Sequence, residues 1–294
     1  MAPRLSASER IAGPADGVQA APSTSRFVEA GGLRLHYLDY GTAGRPPMLC
    51  AHGGGANAHW FDFVASGFNA DYHVRALDHR GHGDSAWADP PEYSYQHYAS
   101  ELAEAVVKLD LRDFVLIGHS MGGKIALAYA ATYPGRVSRL VIVDSNLQTT
   151  EERLSEMRDI GARPGKNYAT REEFAARFRL QPEDTTAPPE IIRHLARNSC
   201  MQLADGRWRH KFDRKVFARH RIIDGMSCWN RIKIPALLVK GELSHRVTPE
   251  IAAAVKAHCA QVDLVEVARS YHHVTLDNPS GFTHAVRAFL AGRP

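Results

Sequence analysis

A serine held between glycines is the first place in this 294-residue chain where nucleophilic chemistry could begin. In Gly118-His119-Ser120-Met121-Gly122-Gly123 an apolar run, 114–117, comes directly before the motif, and a helical pattern, 124–132, follows it. A serine at the tip of a strand–turn–helix projects its hydroxyl, and the helix N-terminus aims N–H groups at the same point. A second glycine run, His52-Gly53-Gly54-Gly55, follows the apolar residues 48–51. Such a loop can lend a backbone N–H, here that of Gly54, to the oxyanion of a tetrahedral intermediate; the N–H after the nucleophile, that of Met121, is the usual second donor. Activating the serine also needs a base, and the adjacent His272 and His273 compete for that role. The run His79-Arg80-Gly81-His82-Gly83-Asp84 raises the question of metal. Its H-x-x-H-x-D spacing is not a usual zinc pattern and no Cys or Glu stands beside it, so no metal is expected there.

The elements around these residues alternate. Residues 26–30 and 33–40 flank Gly31-Gly32, a two-residue turn signal for an antiparallel hairpin. Further strand-like runs fall at 48–51, 72–77, 114–117 and 137–143, with helical patterns at 95–109 and 124–132, the latter stopped before Pro134. Unbroken Val/Ile/Leu runs suit strands covered on both faces, and their alternation with helices implies a parallel α/β sheet. From 149 to about 225 the texture is helical with no convincing strand. Thr149-Thr150-Glu151-Glu152 and Thr170-Arg171-Glu172-Glu173 both fit the capping box, and Pro188-Pro189 opens a further helix at 190–203. The strand–helix rhythm resumes at 234–240, with Thr248 and Pro249 starting a helix; 262–267 is a last strand and 279–290 a closing helix. The expected organisation is a flexible tail at 1–25, an α/β core at 26–146 and 230–294, and a helical cap at 147–229.

Composition excludes several other readings. With 44% apolar and 23% charged residues the chain is an ordinary globular one. Its formal charge of +4 is accounted for by residues 147–229, which carry 16 Lys+Arg against 12 Asp+Glu. That segment is mixed in sign, unlike a nucleic-acid-binding stripe, so no nucleic-acid partner is expected. No run reaches the ~18–20 apolar residues that cross a bilayer, and 1–25 lacks the apolar centre of a signal peptide. Four scattered cysteines exclude a disulfide scaffold and suit a reducing compartment, so the expected location is the cytoplasm. Nothing in the sequence bears on oligomeric state.

Taken in order, His52-Gly53 with Trp60 downstream, Asp78 to Ser85, Gly118 to Gly123, and a C-terminal histidine before Asp277-Asn278-Pro279 resemble the α/β-hydrolase superfamily from about residue 27 to 289. The resemblance implies an eight-stranded, mostly parallel sheet flanked by helices, with a helical cap inserted after the sixth strand. It implies Ser120 as nucleophile. It also favours His272 over His273 as base, because the family's histidine lies seven residues before the closing proline.

The triad acid departs from the commonest pattern. The loop after 234–240 reads Gly241-Glu242-Leu243-Ser244-His245-Arg246-Val247, without aspartate. Some relatives place the acid at the end of the preceding strand, 24 residues beyond the nucleophile, where Asp144 stands. Asp144, two positions along the sheet, is therefore the expected acid, with Glu242 as the alternative. The expected function is serine hydrolysis of a small carboxylic ester or lactone through an acyl-enzyme, with no cofactor, a small-molecule substrate as partner and no membrane partner. Serine in place of aspartate argues against haloalkane dehalogenase and epoxide hydrolase chemistry. The alternatives are carbon–carbon cleavage of a dienoate, although that branch usually has Asn where His119 stands, and a ligand-binding protein on a degenerate hydrolase fold.

Overall fold

Apolar runs too short for helices and too continuous for half-exposed strands form the middle of the molecule. A computed structural model describes residues 10–11, 19–146, 151–218 and 224–292. Its strands are β1 (Arg10–Ile11), β2 (Thr24–Ala30), β3 (Leu33–Asp39), β4 (Pro47–Ala51), β5 (His73–Leu77), β6 (Phe114–His119), β7 (Val137–Val143), β8 (Asn167–Tyr168), β9 (Cys200–Gln202), β10 (Trp208–His210), β11 (Ala236–Gly241) and β12 (Val262–Val267). The main sheet runs β1-β12-β11-β7-β6-β4-β5-β3-β2. Only β2 and β3 run antiparallel to their neighbours; the other pairings are parallel. This is the expected eight-stranded sheet with the two-residue β1 added at one edge. All six residues of β6 are buried, as a strand covered on both faces requires. The first hairpin turns at Gly31 and Gly32, whose φ values of 58° and 71° suit the turn foreseen there.

Helices cover both faces. Tyr95–Lys108, Met121–Thr132, Gly225–Arg231 and Pro249–His258 contribute to one apolar cluster, while Pro279–Ala291 and the short helix Asp62–Ala65 contribute to the other. The second cluster also takes in Phe174, Phe178, Ile191 and Leu195 from the inserted segment, where they join Trp60 and Phe63.

Three expectations are corrected. Parts of the 1–25 segment are structured rather than tail: residues 10–11 pair with Glu266 and Val267, Ala21 is buried with its N–H donating to the Asp62 carbonyl, and β2 already begins at Thr24. A sheet edge offers unpaired backbone groups, and these residues satisfy some of them. The insert is not purely helical either. Besides helices Glu151–Ala162, Arg171–Arg177, Pro189–Asn198 and Lys215–Ala218, it holds the antiparallel sheet β8-β10-β9. The 190–203 helix accordingly ends at Asn198 and gives way to β9. Finally, 225–229 belongs with the core, because Trp229 is fully buried in the first cluster beside Ile125 and Val255. Of the two capping boxes, Thr149-Thr150 lies outside the described residues. At the other, Thr170 Oγ1 accepts from the Glu173 N–H at 3.0 Å.

Candidate active site

Ser120 stands where β6 gives way to the helix Met121–Thr132, at φ 54° and ψ −115°. A side chain in this region costs on the order of 1–3 kcal/mol and persists only where the surroundings enforce it. Here the Ser120 N–H donates to the Val143 carbonyl at 2.9 Å, and the Ser120 carbonyl accepts from Gly123 N, Lys124 N and Ser145 Oγ. The surrounding glycines are there because of close approach. A Cβ on Gly118 would strike the Gly122 carbonyl, one on Gly122 the carbonyls of Ala51 and His52, and one on Gly123 would lie 2.8 Å from Ser145 Cβ.

The turn presents Ser120 Oγ 2.9 Å from His272 Nε2, and His272 Nδ1 lies 2.7 Å from Asp144 Oδ2. For the relay to run, Nδ1–H donates to the carboxylate and Nε2 accepts the serine proton. Asp144 follows β7, and β7 pairs directly with β6, so Asp144 is one strand from Ser120 and not two. Asp144 is fully buried; Ser244 Oγ donates to its Oδ2 at 2.6 Å and Gly241 N to its Oδ1 at 3.3 Å. Burial is the largest influence on this carboxyl and raises its pKa to about 6, against the lowering effect of Ser244, His119, Gly241 and Lys240.

Neither competing residue reaches the relay. Glu242 turns outward and accepts from the Arg269 N–H at 2.8 Å. His273 Nε2 donates to the Pro182 carbonyl at 2.9 Å, and burial depresses its pKa to about 3. The Gly53–Gly54 backbone packs against the serine turn. A Cβ on Gly53 would lie 3.2 Å from Ser120 Cβ, and one on Gly54 would lie 3.7 Å from Met121 Sδ and 3.1 Å from Phe217 of the insert.

Sequence reading gave no structural part at the site to three residues found here. Ser244 was present in the loop, where a hydroxyl without charge offered no signal. His119 Nε2 donates to the His272 carbonyl at 2.8 Å, tying the His272 loop to β6. Phe217 comes from a distant segment. The 79–84 run packs beside the site, tied in through Asp84 and Arg80. Asp78 accepts from His36 Nδ1 at 2.7 Å and from the N–H groups of Ala58 at 2.6 Å and Asp84 at 2.9 Å, while Arg80 pairs with buried Glu101 at 2.6 Å.

Comparison with known proteins agrees with the fold. A family model described as alpha/beta hydrolase fold matches residues 46–279. An esterase of Mycobacterium tuberculosis is 31% identical over 260 residues, 84% of this chain and 84% of its own. A solved alpha/beta hydrolase of Novosphingobium aromaticivorans is 28% identical with a TM-score of 0.74, covering 92% of this chain and 99% of its own. The structure of E-2-(acetamidomethylene)succinate hydrolase superposes with a TM-score of 0.81 at 23% identity, over 92% of this chain and all of its own; that likeness is one of fold.

Proposed function

Because the chain belongs to the alpha/beta hydrolase fold family, we propose that it is a serine hydrolase cleaving a small carboxylic ester or lactone through an acyl-enzyme. The observation that carries this reading is the unbroken relay from Ser120 through His272 to Asp144. Ser120 Oγ attacks the ester carbonyl carbon as its proton passes to His272 Nε2. The oxyanion is held by the N–H groups of Gly54 and Met121, and Asp144 steadies the imidazolium. Collapse breaks the carbon–oxygen bond, and His272 returns the proton to the departing alcohol. Water then attacks the acyl group with His272 as base, releasing the acid and restoring Ser120.

The ester-named relative supports ester over carbon–carbon substrates, as does His119 in place of the asparagine of the dienoate branch. The idea of a degenerate binding protein rested on the missing loop aspartate, and Asp144 beside His272 removes that ground. The test pairs a fluorophosphonate probe with p-nitrophenyl esters and a ring-fission dienoate. Labelling of Ser120, ester turnover, and loss of both in a folded Ser120→Ala variant are expected. An unlabelled wild-type chain, or turnover of the dienoate alone, would overturn the assignment.

A further inference from the structure

We propose that His59, Asp62 and His194 form a binding site for a first-row divalent transition cation, zinc foremost, that bridges the core and the cap. His59 and Asp62 stand three residues apart on the consecutive short helices Ala58–Phe61 and Asp62–Ala65, so their side chains share a face. His194 comes from the other side, on the cap helix Pro189–Asn198, whose Ile191 and Leu195 are buried in the cluster that holds Phe63. That packing sets the His194 ring 5.1 Å from Phe63 and its Nε2 2.6 Å from Asp62 Oδ2. His59 Nδ1 approaches the same oxygen at 2.8 Å. The three donor atoms lie within 4.8 Å of one another.

The donor chemistry fits. Two imidazole nitrogens and one carboxylate oxygen are a zinc set that leaves a fourth position for water. Asp62 is 3% exposed. Both histidines already converge on one oxygen of its carboxylate, Oδ2. Tyr40 Oη donates to the other oxygen, Oδ1, at 2.7 Å, an outer contact of the kind that fixes a ligating carboxylate. The histidine side chains are 19% and 31% exposed, so a hydrated ion can reach them. Ligands around a tetrahedral zinc stand roughly 3.3 Å apart, given bonds of about 2.0–2.1 Å. The ion therefore takes the place of the two N–H···O bonds, and each imidazole swings back by a few tenths of an ångström with its lone pair turned inward. Asn198, whose amide nitrogen lies 3.2 Å from His194 Nε2, moves aside. A second cluster of similar spacing, His36, Asp78 and Asp84, lacks this opening: His36 and Asp78 are buried, and Lys211 already neutralises Asp84 at 2.6 Å.

This site is independent of the hydrolytic reading, since none of its ligands belongs to the relay. The test is calorimetric titration of the metal-free full chain with zinc chloride near neutral pH, alongside thermal unfolding. One saturable ion per chain is expected, with Tm raised by several degrees at ~100-fold excess over Kd. His59→Gln and His194→Gln should each weaken binding at least ~10-fold, the loss that even an outer partner's removal can give. Both should leave metal-free ester turnover unchanged, whereas His272→Ala should leave zinc binding unchanged. X-ray absorption of the loaded wild-type chain needs no variant and should show two imidazoles with oxygen donors. No saturable binding, equal binding in both histidine variants, loss of binding in His272→Ala, or sulfur in the metal shell would each overturn the proposal.

Discussion

Asp144 is under two opposing influences, and their balance is measurable. Hydrogen bonds from Ser244 and Gly241, with the charge of Lys240, favour its ionised form, while burial holds its pKa up to about 6. Protonating it would remove the charge that steadies the imidazolium. On the proposed mechanism kcat/KM should therefore climb as pH rises through a limb near about 6, read from a pH–rate profile as a property of the Asp144–His272 pair. Asp144→Asn should lower kcat by about 10⁴, the scale of losing the group that orients a triad histidine. Glu242→Gln should leave kcat near normal, because Glu242 is occupied with the Arg269 backbone. Steady-state rates at matched Tm check both. The family resemblance singled out Ser120, His272 and Asp144 in the sequence, and the structure brings their side chains within hydrogen-bond reach. Ser244 was not singled out, because its part depends on a 2.6 Å approach to a carboxylate 100 residues away. For the same reason the His79-Arg80-Gly81-His82 run drew attention to metal while the His59, Asp62 and His194 cluster did not: its third ligand is 132 residues from Asp62.

Among the elements, the serine turn depends most on the absence of side chains. Gly122→Ala would drive a methyl into the Ala51 and His52 carbonyls, at the end of the strand that leads into the Gly53–Gly54 loop. Overpacking of this kind costs about 1–3 kcal/mol. Displacing the glycine loop from Ser120 should cost more in rate, at least ~10²-fold in kcat. Tm and kcat measured on one preparation separate the two effects; a large Tm loss with normal kcat would count against the tight fit. The long parallel strands were readable because their apolar runs are continuous. The cap strands were not: β8 has two residues and β9 and β10 three each, too few to show a period. One signal was there to be read, since Asp205-Gly206 sits between β9 and β10 and Asp-Gly is a strong hairpin turn.

Across the whole molecule, stability should depend on acid more than the modest net charge suggests. Burial depresses the pKa of His52, His79, His82, His119, His210 and His273, the last two to about 4 and about 3. Unfolding frees them to titrate near ~6.5. Below that pH the unfolded chain binds more protons than the native one, so stability falls as pH falls. Asp144 and Glu101 act in the opposite direction, since burial raises them to about 6 and about 7 and the native state protonates them first. Near pH ~5 these six histidines outnumber the carboxyls that burial raises, Asp144, Glu101 and Asp277, so the balance is a net uptake of protons on unfolding. Urea midpoints should accordingly drop steeply between neutrality and that pH, and a flat profile would show that these histidines are charged in the native state. Among the described residues no helix is long and apolar enough to cross a membrane.

The backbone at Ser120 carries a consequence for descent. At φ 54° and ψ −115° glycine would sit more comfortably than serine, so on the proposed mechanism the replacement of Ser120 by glycine that ends hydrolysis would also relieve backbone strain. On that mechanism, selection for catalysis would hold this position against a standing thermodynamic pull. Where that selection lapses in a lineage, the expected relic is a well-folded, inert copy with glycine at the elbow.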